Sequence, residues 1–161
     1  MHEASFEAFY AAEHPRVLGT VVLLTGDLDL AREATDEAFA RTLERWARVS
    51  AMARPGAWTV TVARNCARRN GRRRTLERRL LGRQVFPTEV PGPAGELWSV
   101  VAQLPQRQRE VIVLRYLAHL TELEVGRALG ISRSTVSSTL IDARNRLQHL
   151  LNDPAQGGTH G

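Results

Sequence analysis

The chain has 161 residues and a formal net charge of +5, and 43% of its residues are hydrophobic. That length holds one ordinary domain or two small helical ones, and the apolar fraction excludes a wholly disordered chain. No apolar run approaches the ~18 residues needed to cross a bilayer, and the N-terminus lacks a signal-peptide pattern, so no membrane insertion and a cytoplasmic location are expected.

Charge is distributed unevenly. Residues 57–83 carry nine Arg against Glu77 alone, residues 1–56 are net acidic, and residues 84–161 are balanced. One basic block suits a polyanionic partner. All 22 basic residues are Arg, which binds phosphate and guanine bidentately where Lys cannot. The single cysteine, Cys66, excludes an internal disulfide and a cysteine-rich metal site.

In chain order, Phe6, Phe9, Val17, Val21 and Leu24 recur at mainly helical spacings. Pro15 interrupts them, which predicts one kinked helix or two short ones. Thr25-Gly26-Asp27 reads as a turn, with Asp27 capping the next helix. From Leu28 to about Val49, Leu30, Ala31, Ala34, Ala38, Leu43, Trp46 and Ala47 form an inward face. Arg32, Glu33, Asp36, Glu37 and Arg41 lie elsewhere on that helix and by themselves read as a solvated surface.

Pro55-Gly56 punctuates, and a third helix is predicted from Ala57 to about Asn70. Trp58, Val62, Ala63 and Cys66 face inward, leaving Arg64, Asn65, Arg68 and Arg69 largely outward. Asn70-Gly71 is the expected helix end, followed at once by Arg72, Arg73 and Arg74. Arg, Asn and an aromatic along one helix suit phosphate contact and base stacking. Residues 76 to 95 read as a linker whose Arg-rich first part can extend the helix. Phe86-Pro87 and Pro91-Gly92-Pro93 fit no regular helix interior. Leu97, Trp98, Val101 and Leu104 predict a short helix stopped by Pro105, which can open the next one.

Residues 121–151 carry the strongest local signal. Thr121 followed by Glu124 is a capping box. Leu123, Ala128 and Leu129 give a short helix an apolar face, and Gly130 can turn left-handed to close it. Ile131 can plug the corner. Ser132 caps a second helix, in which Val136, Leu140, Ala143, Leu147 and Leu150 form one apolar seam. Arg133, Ser134, Ser137 and Ser138 lie on the opposite face. A short helix, a tight Gly turn and a second helix with a polar N-terminal face is the helix-turn-helix pattern, whose second helix enters the major groove.

From Leu104 to Leu147 the chain reads LPQRQREVIVLRYLAHLTELEVGRALGISRSTVSSTLIDARNRL. With the acidic helix and the Arg-rich aromatic helix before it, this resembles an extracytoplasmic-function sigma factor of the sigma-70 family. LLTGDLDLAREATDEAF, at Leu23 to Phe39, is similar to the first sigma domain of actinobacterial, SigE-like members. Ala63-Arg64-Asn65 resembles the start of the DNA-reading helix. The resemblance implies two partners, core RNA polymerase and promoter DNA, and allows a third, an anti-sigma factor. It implies polymerase docking through Glu33, Asp36, Glu37 and Arg41. It implies capture of the melted −10 strand and its phosphates by Arg64, Asn65, Arg68, Arg69, Arg72, Arg73 and Arg74. The −35 element is then read by Arg133, Ser134, Thr135, Ser137, Ser138 and Arg144. Three positions depart from the family pattern. Asp36-Glu37 stands where Gln-Glu is usual, Arg69 where Asp is usual, and Gly71 where a bulky residue is common.

The expected fold class is all-α, with two small helical domains joined by a flexible linker, the second a helix-turn-helix. The expected boundaries are a region 2-like domain at 1–75, a linker at 76–94, a region 4-like domain at 95–152 and a tail at 153–161. A plain helix-turn-helix regulator that does not bind polymerase is the alternative, and it leaves the first 83 residues unexplained. No enzymatic activity, cofactor or metal is expected: His14, His119 and His149 are scattered, with no H-E-x-x-H spacing, and no His/Asp arrangement surrounds Cys66.

Overall fold

The computed structural model describes residues 5–82 and 89–153. Among these residues there are eight α-helices and no strand, in agreement with the expected all-α class. The helices are α1 (Phe6–Thr25), α2 (Leu28–Glu44), α3 (Trp46–Val49), α4 (Pro55–Leu81), α5 (Gly92–Val101), α6 (Gln106–Tyr116), α7 (Glu122–Leu129) and α8 (Arg133–Asn152).

The first four helices form one module. Helix α1 runs through Pro15 as a single assigned helix rather than two. Gly26 closes it in the left-handed region, and Asp27 accepts the Leu30 N–H at 3.1 Å to start α2. Helices α2 and α4 lie antiparallel, with Thr42 across Thr59 (3.1 Å between hydroxyls) at one end and Glu33 across Arg73 at the other. Ala31, Ala34 and Ala38 of α2 and Ala63, Cys66 and Ala67 of α4 are buried in one cluster with Val17, Val21 and Val60. Small side chains let helix axes approach closely, and tight packing holds each helix in place.

Two expectations for this module are corrected. Leu43, 55% exposed, and Ala47, also exposed, are not inward, because α2 ends at Glu44 and the chain turns into α3. Helix α4 does not end at Asn70-Gly71 but continues to Leu81 and closes on Gly82 at φ 61°. Arg is a good helix former, and a single interior Gly costs only about 1 kcal/mol. Leu30 Cδ2 lies 3.6 Å from where a Gly71 side chain would begin, an ordinary van der Waals approach. The first part of the expected linker is therefore helical. Residues 83–88 of that linker and 154–161 of the expected tail lie outside the described residues.

Helices α5 to α8 form the second module. Helix α6 begins directly after Pro105, which serves as its cap. Val111, Val113, Leu114, Leu120, Val125, Val136, Leu140 and Ala143 are fully or almost fully buried. Leu123 departs from expectation: it is 49% exposed, on the solvent side of α7. The two modules pack on one another. Their buried residues form one continuous apolar cluster, and a smaller one joins Leu23 of α1 to Val101 and Val113. The Trp98 ring of α5 lies on the α1–α2 turn, with the Arg109 guanidinium 5.2 Å over its centroid.

Gly26 is constrained twice. Its φ is +66°, and a Cβ there would lie 2.1 Å from Trp98 Cζ2. Gly26→Ala should therefore lower the unfolding free energy by roughly 1–3 kcal/mol from overpacking alone, read as a lower urea midpoint. In a Trp98→Ala background the cost of Gly26→Ala should be smaller than in wild type. An equal cost would mean that backbone strain alone sets it.

Candidate nucleic-acid interface

The rim between α2 and α4 brings the expected polymerase-docking acids against the expected strand-capture arginines. Arg69 donates to Glu37 Oε1, and Asn70 Nδ2 to Glu37 Oε2 at 3.5 Å. Arg41, one turn along α2, donates to the same Glu37 at 2.9 Å. Arg73 reaches Glu33 at 3.4 Å, and Arg74 reaches Glu33 at 2.7 Å and Asp27 at 3.5 Å. Burial pushes the Glu37 carboxyl up, but hydrogen bonds from Arg69 and Asn70 and the charges of Arg69 and Arg41 outweigh it and hold it below the ordinary value. Glu37 in turn raises Arg69.

This ladder was not anticipated, although its signal is in the sequence. Acids at 33 and 37 are spaced i, i+4, and so are Arg69 and Arg73, which is the pattern two antiparallel helices need to pair opposite charges. The ladder also accounts for Arg69, the departure from the family's usual Asp: in this chain it faces a carboxylate. Asp36 stays out of the ladder, with a side chain 75% exposed and His14 Nε2 3.9 Å away.

The strand-capture set divides. Asn65, Arg68 and Arg72 are exposed, as expected. Arg64 is not: it is 5% exposed. Its guanidinium donates to Glu110 of α6 at 3.2 Å and to the Ala128 carbonyl at the end of α7 at 3.1 Å. The expectation that it points outward is thus corrected, because the second module supplies it with a carboxylate and a helix-end carbonyl. Glu110 is held in turn by Gln106 (3.1 Å) and Arg107 (3.3 Å) on its own helix. At the start of α4 the Arg54 guanidinium meets Glu124 and the His119 carbonyl, a second tie between the modules.

The helix-turn-helix forms as the sequence implies. Thr121 accepts the Glu124 N–H at 3.2 Å, Gly130 closes α7 at φ 68°, and Ser132 accepts the Thr135 N–H at 3.1 Å. Sequence reading missed Gly126, where a Cβ would lie 2.7 Å from the Ile131 carbonyl oxygen; its bareness allows the tight turn. Val136, Leu140 and Ala143 seat α8 in the core. Arg133, Ser134, Thr135 and Ser138 are exposed together at its start. Ser137 donates to Glu122 of α7 at 2.7 Å, and Arg133 Nε lies 3.7 Å from the same carboxylate oxygen. Arg144 leans back onto Tyr116 of α6, donating to its hydroxyl with its guanidinium 5.3 Å from the ring centroid. That ties its guanidinium to α6, eleven residues along α8 from Arg133.

Cys66 is buried, and burial pushes its thiol above the ordinary value, opposite to the shift of an activated nucleophile. Among the described residues no group of His, Cys, Asp and Glu could hold a metal ion, and no helix is long and apolar enough to cross a membrane.

Residues 9–77 match the Sigma-70 region 2 family and residues 100–149 match Sigma-70, region 4. The chain is 31% identical over 105 residues to the ECF RNA polymerase sigma factor SigM of Bacillus subtilis, covering 59% of this chain. It spans 64% of SigM, just under two thirds of that protein's length. It is 29% identical over 153 residues to the RNA polymerase sigma-E factor of Streptomyces coelicolor, covering 91% of this chain and 85% of that protein. Its fold is similar to that of the sigma factor RpoE from Bartonella quintana, solved in complex with the anti-sigma factor NepR. That match has a TM-score of 0.80 at 20% identity over 92% of this chain and 98% of the other. With a region 2 match on α1 to α4, a region 4 match on the helix-turn-helix and such relatives, the chain belongs to the sigma-70 family, among its extracytoplasmic-function members.

Proposed function

We propose that the chain is an RNA polymerase sigma factor that binds core polymerase through α2 and directs it to a promoter. One observation carries this reading: an acid-faced, Arg-edged bundle matching region 2 and a helix-turn-helix with a free polar reading face, matching region 4, lie on one polypeptide. A stand-alone DNA-binding regulator would leave the region 2 bundle without a role. Sigma factors are initiation factors and not enzymes, and the inert environment of Cys66 is consistent with that. The cytoplasm, where polymerase acts, is the expected location. An anti-sigma factor is a reasonable further partner, since RpoE is seen with one. We assign polymerase docking and −10 recognition to residues 1–75 and −35 reading to residues 95–152. Arg68 and Arg72 are the free strand-facing cations, and Asp36 is the most exposed docking acid.

Two measurements test these roles. Asp36→Lys removes an exposed side chain outside the ion ladder, so it should change stability by no more than about 0.5 kcal/mol. It should nevertheless compete poorly with wild type for core polymerase. Glu37→Lys places a cation beside Arg69 and Arg41 and should lose both stability and docking. If Asp36→Lys assembles with core polymerase as well as wild type, the docking face is elsewhere.

Arg133 stands at the helix end that enters the groove first, where a guanidinium can reach guanine. Arg133→Ala should cost about 1–3 kcal/mol on the matched −35 duplex and much less on scrambled DNA. Arg72→Ala should weaken binding to all sequences and lower the salt slope by roughly one unit. A salt series reads both, on matched and scrambled −35 duplexes for Arg133→Ala and on single strands of differing sequence for Arg72→Ala. Equal losses for Arg133→Ala on the two DNAs would remove base reading from that residue.

A further inference from the structure

Glu122, the first residue of α7, meets the start of α8 at two points. Its Oε2 accepts the Ser137 hydroxyl at 2.7 Å and lies 3.7 Å from Arg133 Nε. Arg133 and Ser137 are four residues apart, on one face of α8. A carboxylate can only accept, whereas a serine hydroxyl has one proton and two acceptor lone pairs. A serine at a base edge is therefore ordinarily free to donate or to accept. Ser137 is not, because its proton is already committed to Glu122. That bond has a charged acceptor, which makes it roughly twice as strong as a neutral one, and the Glu122 side chain is only 31% exposed. Ser138 differs: its hydroxyl donates to the Thr135 carbonyl of its own helix at 3.1 Å, a neutral local bond. Arg133 is held more loosely. The carboxylate lies on its Nε side and its side chain is 72% exposed, so the two terminal nitrogens are left for a guanine O6 and N7.

We propose that Glu122 is a positioning residue that fixes the polarity of the reading face. By holding the Ser137 proton it makes that hydroxyl an obligate acceptor. The base that Ser137 meets must then offer a donor in the major groove, the N4 amino group of cytosine or the N6 amino group of adenine. A guanine or thymine carbonyl in the same place would set two acceptors against each other. The proposal rests on the reading of α8 as the duplex-reading helix and deepens it: Glu122 touches no base, yet it decides which class of base edge one position accepts.

The full-length chain and duplex DNA test this without polymerase. Selection from a randomised duplex pool by wild type and by Ser137→Ala identifies the base pair whose preference depends on Ser137. Fluorescence anisotropy on a selected duplex then measures that pair atom by atom. Replacing its adenine by purine, or its cytosine by 2-pyrimidinone, deletes the amino group and should weaken wild-type binding about five- to tenfold. Replacing the opposite base by an analogue that lacks the carbonyl oxygen should change binding less than about twofold. These wild-type measurements are free of any folding effect of substitution. Glu122→Ala frees the Ser137 proton and should shrink the amino-group effect to within about twofold, while the guanine preference that depends on Arg133 persists and shows that the motif is folded. In a Ser137→Ala background, Glu122→Ala should leave the preference at that pair unchanged. A carboxylate with a purely structural role would leave the amino-group effect intact in Glu122→Ala, and that result would overturn the proposal. So would a wild type that depends on the carbonyl instead of the amino group, or the absence of any pair that depends on Ser137. A wild type that selects no sequence at all would remove the duplex-reading assignment together with the proposal. Loss of the amino-group dependence alone leaves that assignment, and the polymerase reading, standing.

Discussion

Helices α2 and α4 meet through alanines and a cysteine, and the other surfaces follow from that close approach. Ala31, Ala34 and Ala38 facing a stripe of Ala63, Cys66 and Ala67 leave little lateral freedom in the seam. The seam fixes which residues stand on its two edges. On one edge Glu33 and Glu37 meet Arg69, Arg73 and Arg74, so a region with eight excess positive charges is partly neutralised by the helix beside it. On the other, Arg64 points away from α2 into the second module. Exposed ion pairs contribute little, typically 0–1 kcal/mol each. The ladder therefore orders the arginines more than it stabilises the bundle.

Within the basic block, the cations differ in what they can do. Those in the ladder already have carboxylates and can meet DNA only by giving them up. Arg68 and Arg72 are exposed and without such a partner in the ladder. Arg64 is buried against Glu110, where removing one member would leave an uncompensated charge. Composition alone cannot make this division, because it depends on which helix lies opposite each residue.

The local signals were legible in the sequence. Thr121, Gly130 and Ser132 each specify a cap through one side chain or one backbone angle, and each is found where its chemistry requires. The same holds for Gly26 and Asp27 at the α1–α2 turn. The errors arose where a local signal competed with context. Asn70-Gly71 reads as a helix end, yet Asn70 is 2% exposed and bonded to Glu37, and the Arg-rich stretch beyond it propagates the helix. Arg64 reads as outward because α4 considered alone has no carboxylate for it. Its partner is 46 residues away, across the linker, and no periodicity within one helix reports a partner in another module. The i, i+4 acids and i, i+4 arginines were visible, but pairing them required the antiparallel register.

The relatives point to the class of activity proposed, while this chain's own residues set how the two surfaces proposed to face DNA are arranged. The central claim is that region 2 and region 4 act together to start transcription. Run-off transcription with core polymerase over a library of duplex promoters, with and without this chain, tests it most directly. The account predicts start sites that appear only with the chain present and that share two sequence elements, one melted and one duplex. Transcription unchanged by the chain, with the chain still bound to duplex DNA, would contradict it and favour a regulator that does not engage polymerase.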